Sequence, residues 1–313
     1  MLRILMRRLV LSVPLVVVVS FLTFALVSLT PGDAVYTILG ARATPEQVAQ
    51  LRAELGLDQP LIVQYANWIR GAVLGDLGHS LLTGQPVTQA ISQRLAPTLA
   101  LIVGAIIVIA MIGVGLGLIA ATRGGAVARA IDLLGFAGLA IPGFVLALYL
   151  IPFFAVQLRL VPVSGYVPFE GSPQLWFASL VLPVIAVSFG SVGLVAKQTR
   201  AAMDDVLSRE FISMMIANGY RSRSIVYRHA LKTAALPVVA LLGVVTVGLL
   251  SASVLVESVF AFPGLGGLAV QASSQSDLTL VVGVTVAFTL IVVIINVLVD
   301  LTYVLLNSKI RTV

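Results

Sequence analysis

The sequence contains no cysteine, which excludes a disulfide framework, a thiolate nucleophile and a cysteine-based metal site. It is also poor in charge, since charged residues make up 10% of the chain, whereas a soluble domain carries about a quarter. Hydrophobic residues account for 59% of the chain, and the mean hydropathy is +1.09. This balance predicts an integral membrane protein.

Sequence signatures of catalysis are absent as well. There is no GxxxxGK[ST] phosphate loop for binding ATP, no HExxH zinc signature and no GxSxG nucleophile elbow. The two histidines, His79 and His229, have no set of metal ligands beside them, and we expect His79 to be a surface residue. The chain is therefore predicted to have no catalytic residue, no metal site and no bound cofactor.

Six apolar segments are long enough to cross a bilayer, whose core is about 30 Å thick and requires about 20 residues of helix. They lie at 9–29, 98–121, 131–156, 175–196, 234–255 and 278–306. The first segment follows Arg3, Arg7 and Arg8, a pattern that a secretory signal peptide shares. Its length, about twice that of a signal-peptide apolar region, favours a retained membrane anchor.

Lysine and arginine are distributed unequally between the two sides of the predicted spans, and this asymmetry predicts the orientation. With a cytoplasmic amino terminus, fourteen of the nineteen basic residues lie on the cytoplasmic side. We therefore expect both termini to be cytoplasmic. The net charge of +6 follows from this flanking pattern, and the basic residues form no soluble face for nucleic acid.

The segment 34–95, here called the insert, is the largest stretch outside the predicted spans. It follows Thr30-Pro31-Gly32-Asp33, a turn expected to end the first span. Thr44-Pro45 predicts the start of a helix that ends at Gly56, and a second helix is predicted at 60–73. The insert is expected to cap the outer ends of the spans or to dock an external binding protein, and the two roles are compatible.

The segment 210–237 is a polar, basic island between two strongly apolar stretches. It has a turn signal at Asn218-Gly219 and could form short amphipathic helices on either side. The segment contains Gly219, Arg221, Arg223, His229-Ala230-Leu231 and Leu236-Pro237, and this proline follows the glycine by 18 residues. In these residues it resembles the cytoplasmic EAA loop of ABC-importer permeases, in the variant of the dipeptide, oligopeptide and nickel subfamily.

Further stretches resemble the same subfamily, and together they cover nearly the whole chain. They are SLTPGDAV, ATPEQVAQLRAELGLDQPLIVQYANWI, GDLGHSLLTGQPV, QRLAPTLAL, VPVSGY, VLVESVFAFPGLGGLAVQA and NVLVDLTYVLLNSKIR. Met214-Met215-Ile216 departs from the pattern, because relatives usually carry small or polar residues there, and this indicates a more apolar partner groove. The resemblance implies an all-α membrane protein with six transmembrane helices, the type I ABC-importer permease fold, with a small extracellular helical insert between spans 1 and 2.

The resemblance also implies a domain division and a contact with an ATPase. Residues 1–95 would hold the first span and the insert, and residues 96–306 the permease domain, with a cytoplasmic coupling loop at 199–233. In the family, a short helix after the loop glycine docks on an ATP-hydrolysing subunit, and here it is expected at 220–227. From their charge alone, the basic residues could instead bind lipid headgroups. The predicted ATPase-coupling residues are Ala217, Gly219, Tyr220, Arg221, Ser222, Arg223, Tyr227 and His229.

A translocation path is predicted along spans that contain proline, glycine and small polar residues. Ile141-Pro142-Gly143-Phe144 predicts a kink, and the glycines of spans 2 and 3 predict close helix packing. An outer turn at Phe262-Pro263-Gly264 is expected to help gate the path, and small polar side chains of span 5 could line it. The candidate path and gate residues are Pro142, Thr246, Ser251, Ser253, Glu257 and Phe262.

The sequence thus predicts a permease subunit, the first of a pair, in an ATP-driven importer of di- or oligopeptides in a bacterial or archaeal inner membrane. Nickel or a nickel chelate is the alternative cargo, and an ATP-independent channel or secondary carrier is the alternative class. The expected partners are a second homologous permease, two subunits that bind ATP and Mg, an extracellular or periplasmic substrate-binding protein, and membrane lipid.

Overall fold

The structure, a computed structural model, describes residues 2–29, 34–40 and 43–306. These ranges form helices and turns, with one isolated antiparallel bridge between His79 and Pro86 and no β-strand. The helices are α1 (Leu2–Leu29), α2 (Ala34–Leu39), α3 (Pro45–Glu54), α4 (Leu61–Val73), α5 (Val87–Arg123), α6 (Gly125–Ala140), α7 (Gly143–Gln157), α8 (Pro173–Leu207), α9 (Glu210–Ala217), α10 (Ser222–Val259), α11 (Leu265–Ser274) and α12 (Leu278–Leu306). The turn predicted at Thr30-Pro31-Gly32-Asp33 lies outside the described residues.

Five helices of the described chain are long and apolar enough to cross a membrane, namely α1, α5, α8, α10 and α12. The pair α6 and α7 makes a sixth crossing if its two helices are one span, and they are bent by 93°. The kink predicted near Pro142 is thus confirmed, as a break within segment 131–156. The cause is local: proline has no amide hydrogen, and the Pro142 carbonyl accepts the amides of Val145 and Leu146 at 3.0 and 3.1 Å, which starts α7.

One compact unit contains Leu99–Phe262 together with residues 294–306. Within it, α6 and α7 pack along α8 through positions that lack side chains. A Cβ on Gly135 of α6 would lie 3.2 Å from the Cα of Gly193 on α8, and a Cβ on Gly143 of α7 would collide with the Ala186 carbonyl of α8. The predicted role of these glycines in close packing is confirmed.

The helix α5 also packs closely against α8 at glycines, which have no side chain. A Cβ on Gly113 would lie 3.0 Å from the Cβ of Val195, and a Cβ on Gly117 would lie 2.5 Å from the Cβ of Thr199. Gly115 lies on a different face of the helix, and no atom lies within 4 Å of its Cβ position. Close packing is therefore confirmed for Gly113 and Gly117 but not for Gly115.

Charged side chains join α6 and α8 near one end of their contact. Asp132 of α6 forms an ion pair with Arg200 of α8, and both side chains are partly buried. The Nε of Arg200 also lies 3.5 Å from the carboxylate of Asp204, one turn further along α8. At the same end, Lys197 lies over the ring of Phe136, 4.8 Å from its centroid. These charges mark where α8 leaves the apolar part of the unit.

The other compact unit contains Leu2–Thr98 and Pro263–Val293. Its buried cluster brings together Phe24 of α1, Tyr65 of α4, and Leu278 and Val282 of α12. The second helix of the insert is confirmed as α4, and its residues Leu61, Trp68 and Ile69 pack against this cluster.

Asp277, just before α12, is a buried carboxylate that the sequence interpretation missed. It accepts hydrogen bonds from the hydroxyl of Ser80 and from the amides of Leu81 and Leu280, the latter two each at 3.2 Å. The bond from Leu280 makes Asp277 the N-cap of α12. The bonds from Ser80 and Leu81 attach the insert to the beginning of the last span.

The first long helix of the insert, α3, begins and ends as predicted. Thr44 and Gln47 form a capping box: the Thr44 hydroxyl accepts the Gln47 amide at 3.4 Å, and the Thr44 amide donates to Gln47 Oε1 at 3.0 Å. The pKa of Glu46 is lowered by a hydrogen bond from its own backbone amide and by the Thr44 hydroxyl. Gly56, with φ +66, follows the end of the helix.

Candidate functional site

The helix α8 is longer than a bilayer requires. It has 35 residues, about 52 Å at 1.5 Å per residue, against a hydrocarbon core of about 30 Å. Its first charged residue is Lys197, and ten more residues follow before the helix ends at Leu207. The helix therefore continues past the end of the apolar segment 175–196, and it carries the next segment of the chain away from the apolar spans.

The short helix α9 ends in a left-handed turn at Gly219. This residue has φ +76, and no atom lies within 4 Å of its Cβ position. The Gly219 amide donates to the Ile216 carbonyl at 3.0 Å, and the Tyr220 amide donates to the Met215 carbonyl at 3.1 Å. These two bonds are a Schellman motif. Glycine is therefore required by the backbone angle and not by a lack of space.

The chain after this turn differs from the prediction. The helix expected at 220–227 begins at Ser222, but it does not end after two turns and continues as α10 to Val259. The reason is that neither glycine nor proline occurs within α10 before Pro237, so the sequence does not end the helix after two turns. The separate short helix of this loop is α9, which precedes Gly219.

The predicted ATPase-coupling residues lie mostly at the surface. Those that are exposed are Ala217, Gly219, Tyr220, Arg221, Ser222, Arg223 and Tyr227. His229 is partly buried, and its ring lies edge-on to that of Tyr220 with 6.3 Å between the centroids. The exposed guanidinium groups can donate paired hydrogen bonds to carboxylates of a partner.

Ala230, in the His-Ala-Leu run, anchors the beginning of α10. It is fully buried and packs with Leu118 of α5, Met203 and Val206 of α8, and Ala234 of α10. Three long helices therefore meet at the base of the exposed loop. The His-Ala-Leu run thus contributes a buried packing residue, Ala230, to this cluster.

The helix α9 exposes apolar side chains that were not among the predicted coupling residues, although the sequence indicated an apolar partner groove at Met214-Met215-Ile216. Met214 is 65% exposed and Ile216 62%, and Phe211 is exposed as well, whereas Ile212 is buried. Exposed apolar side chains on a projecting helix suit a hydrophobic groove in a protein partner. The signal in the sequence was the apolar run itself, which interrupts an otherwise polar and basic segment.

The predicted path residues on α10 fall on two different faces. An exposed stripe runs along the helix and consists of Val244, Val247, Gly248, Ser251, Ala252 and Leu255. Ser251 lies on it. Thr246 and Ser253 are buried, and their hydroxyls donate to carbonyls of the same helix, those of Leu242 at 2.6 Å and Leu250 at 3.0 Å. Glu257 is buried, and Pro142 is exposed at the break between α6 and α7.

Phe262, in the turn after α10, is packed into an aromatic cluster. Its ring lies 5.1 Å from that of Tyr166, edge to face, and the Tyr166 hydroxyl accepts the indole N–H of Trp176 at 3.0 Å. The Gly165 amide donates to the Phe260 carbonyl at 2.9 Å. This bond joins the loop between α7 and α8, which contains Tyr166, to the end of α10. The ring of the predicted gate residue therefore packs against the Tyr166 loop, which is itself bonded to the end of α10.

Two protein families match the chain in sequence. Residues 113–312 match the inner membrane component of binding-protein-dependent transport systems, and residues 1–102 match the amino-terminal part of the membrane components of such systems. The chain belongs to this family of permeases. The prediction of an ABC-importer permease is thereby confirmed.

Relatives of the permease match it along nearly its full length. It is 38% identical over 307 residues to a probable peptide ABC transporter permease protein of Sinorhizobium fredii, with 98% of each chain covered. It is 33% identical over 336 residues to the dipeptide transport system permease protein DppB of Escherichia coli, with 99% of each chain covered. These matches and its multiple apolar spans make the permease an inner membrane protein.

The fold of the permease resembles that of a solved importer. The inward-facing MetNI methionine ABC transporter matches with a TM-score of 0.57 and 19% identity, covering 70% of this chain and 97% of that chain. At this identity the likeness concerns the fold alone. It confirms the predicted type I ABC-importer permease fold.

The permease stores backbone strain in the turn after α10. Ala261 has φ +47, a left-handed conformation that costs a residue with a Cβ roughly 1–2 kcal/mol relative to glycine. We expect Ala261→Gly to stabilise the permease by up to about 1 kcal/mol, since the strain that glycine removes exceeds the cost of the backbone freedom that it adds. The measurement is the apparent melting temperature of the purified permease in detergent.

The matched control is Ala252→Gly, the same change on the exposed stripe of the regular helix α10. There glycine should destabilise by about 1 kcal/mol, because it adds backbone freedom without relieving strain. Shifts of the same sign in both variants would contradict the assignment of strain to Ala261.

Proposed function

We propose that this chain is the permease subunit that forms the translocation path of an ATP-driven peptide importer, with ATP hydrolysis supplied by separate subunits. The observation that carries the proposal is the loop 210–229, which follows the extended helix α8 in a chain that lacks a phosphate loop. The loop presents apolar side chains on α9 and exposed arginines at the start of α10. An ATPase groove with an apolar floor and a rim of carboxylates would complement it.

The continuous helix α10 supports a mechanical role for the loop. Ser222 at its loop end and Ser251 on its exposed stripe belong to one unbroken helix. The helix α8 enters the same loop, and the cluster around Ala230 holds α5, α8 and α10 together at its base. A displacement of the loop by nucleotide-dependent movement of the ATPases would therefore tilt these helices together. Such a tilt would convert an inward-open path to an outward-open one.

The complete importer would contain a second homologous permease, two ATPases and an extracellular or periplasmic binding protein. ATP and Mg would bind to the ATPases. The asymmetry of lysine and arginine supports a cytoplasmic position for both termini and for the loop. A second permease beside the exposed stripe of α10 would place Ser251 and Gly248 at the path between the two subunits, which is our proposal for its lining.

Peptide is the proposed cargo because the relatives with 33% and 38% identity are described as dipeptide and peptide permeases. The exposed stripe of α10 supports an uncharged substrate or a zwitterion, since it carries no ionisable side chain. In the reconstituted importer, competition by dipeptides or oligopeptides but not by a nickel chelate would support peptide over the alternative cargo. Uptake that persists without the ATPases would support the alternative class, a channel or secondary carrier.

The test of the coupling role is Gly219→Val in the reconstituted importer, with both permeases, the ATPases and the binding protein present. Valine at φ +76 costs at least roughly 1–2 kcal/mol, because its Cβ meets the following carbonyl. The turn between α9 and α10 would then be lost in most molecules. We expect substrate-stimulated ATP hydrolysis and uptake each to fall about tenfold, the factor that corresponds to about 1.4 kcal/mol.

Gly219→Asn is the matched control, because asparagine tolerates the left-handed conformation. It should retain most of the activity. A clash with another part of the permease cannot account for a difference between the two variants, since no atom beyond the adjoining residues lies within 4 Å of the Cβ position. Wild-type uptake in the valine variant would refute the coupling role, and equal loss in both variants would show that the turn geometry is not the cause.

A further inference from the structure

The two longer helices of the insert have opposite surface chemistry. The helix α3 exposes polar side chains, namely Glu46, Gln47, Gln50 and Glu54. The helix α4, LIVQYANWIRGAV, has no acidic residue and a single basic one, Arg70. Apolar side chains are exposed at both of its ends: Ile62 is 73% exposed, Val73 80%, and Leu74, directly after the helix, 88%. This is the pattern of a helix that lies at a membrane interface.

The contacts of Tyr65 show how far α4 lies from the Leu29 end of α1. The Tyr65 hydroxyl donates to the Val17 carbonyl at 3.1 Å and lies 2.9 Å from the Ser20 hydroxyl. The apolar run of α1 extends from Val10 to Leu29, about 30 Å, which equals the thickness of the hydrocarbon core. Ser20 lies nine residues before the end of this run, so the Tyr65 hydroxyl lies about 14 Å below that end.

A tyrosine side chain is shorter than this distance, so the backbone of α4 at Tyr65 also lies below the level of Leu29. The ring contacts agree, because the ring of Tyr65 lies edge-on to those of Phe21 and Phe24, with centroids 5.1 and 5.7 Å apart. Trp68, one turn along α4, stacks on Tyr65 and belongs to the residue type that is enriched at membrane interfaces. The helix α4 thus lies beside the apolar run of α1 and not above it.

We propose that α4 is an interfacial helix, seated in the bilayer leaflet at the Leu29 end of α1, with Ile62, Val73 and Leu74 in contact with lipid acyl chains. Lipid is the occupant because this depth lies within the hydrocarbon, which a soluble binding protein does not enter. The exposed side chain of Arg70 is long enough to reach the headgroups. The insert is thereby held to the leaflet by α4, and it offers α3 to water.

The absence of cysteine makes a direct test possible, because single cysteines can be introduced without removing native ones. Val73→Cys and Leu74→Cys would each be labelled with a nitroxide in the importer reconstituted into phospholipid bilayers. Electron paramagnetic resonance would measure collisions with molecular oxygen, which concentrates in hydrocarbon, and with a water-soluble nickel chelate. Leu22→Cys on the exposed face of α1 is the lipid reference, and Ala49→Cys on the exposed face of α3 is the water reference.

We expect the labels at Val73 and Leu74 to match the lipid reference, with an oxygen-to-chelate ratio several-fold higher than at Ala49. Chelate access equal to that at Ala49 would overturn the proposal. Low access to both reagents would also overturn it, because a protein such as the second permease would then cover this face. Adding the binding protein should change neither label, and a loss of oxygen access on its addition would assign α4 to protein docking instead.

Discussion

Replacing Gly193 with valine is expected to prevent the permease from folding. The helices α8 and α6 meet so closely at this position that a Cβ on Gly193 would collide with the Cα of Gly135. The colliding atoms belong to the backbone, so no change of side-chain rotamer relieves the overlap, and the helices would have to separate. Overpacking typically costs about 1–3 kcal/mol, and we expect a cost at or above the upper end of that range here.

The measurement is the amount of monodisperse permease recovered from membranes in detergent, together with its apparent melting temperature. The matched control is Gly115→Val, the same substitution at a helical position where no atom lies within 4 Å of the Cβ. The control should accumulate close to the wild-type level. Normal accumulation of the Gly193 variant would show that α6 and α8 do not approach as closely as described.

Replacing Asp277 with alanine is expected to detach the insert from the last span. The change removes the acceptor for the Ser80 hydroxyl and for the amides of Leu81 and Leu280. A buried donor left without a partner costs about 1–3 kcal/mol, and the loss of an N-cap costs about 1 kcal/mol. Since the Ser80 hydroxyl can rotate to another acceptor, we expect a total loss of roughly 3 kcal/mol.

Two measurements would report this loss: a lower apparent melting temperature, and faster proteolysis of the insert in intact proteoliposomes. Asp277→Asn keeps an oxygen acceptor and should lie between the wild type and the alanine variant. Asp58→Ala removes an exposed carboxylate of the same insert and controls for the change of charge. If Asp277→Ala is no more sensitive than Asp58→Ala, the carboxylate does not hold the insert in place.

Structure that depends on a few neighbouring residues could be predicted from the sequence. The cap at Thr44-Pro45, the end of α3 before Gly56 and the break near Pro142 all follow from hydrogen bonds or backbone angles within one turn. The turn at Gly219 belongs to the same class, since its left-handed angle and its two hydrogen bonds involve only adjacent turns.

Contacts between distant segments could not be predicted. Asp132 has Arg129 close by in the sequence, yet its ion pair is with Arg200, which is 68 residues away. Asp277 followed a polar stretch and carried no motif, and only the fold brings Ser80 to it. Helical periodicity tells which residues share a face, but it does not tell which other helix that face meets.

In the candidate site, the exposed arginines follow from local chemistry, whereas the length of the helix after Gly219 could not be predicted. The resemblance supplied a short helix at 220–227. The structure has a helix that begins at Ser222 and continues to Val259, because α10 contains no glycine or proline before Pro237. The roles of these residues in coupling stay predictions until Gly219→Val is measured.

By itself, the sequence determined the membrane class, the apolar segments, the turn at Gly219 and the family, because hydropathy and turn chemistry are properties of short stretches. Only the tertiary structure decided that Ser251 is exposed while Thr246 and Ser253 are buried on the same helix, and that α4 lies beside α1. The reason is physical: the exposure of a side chain depends on which distant segment packs against it, and a local pattern does not contain that information.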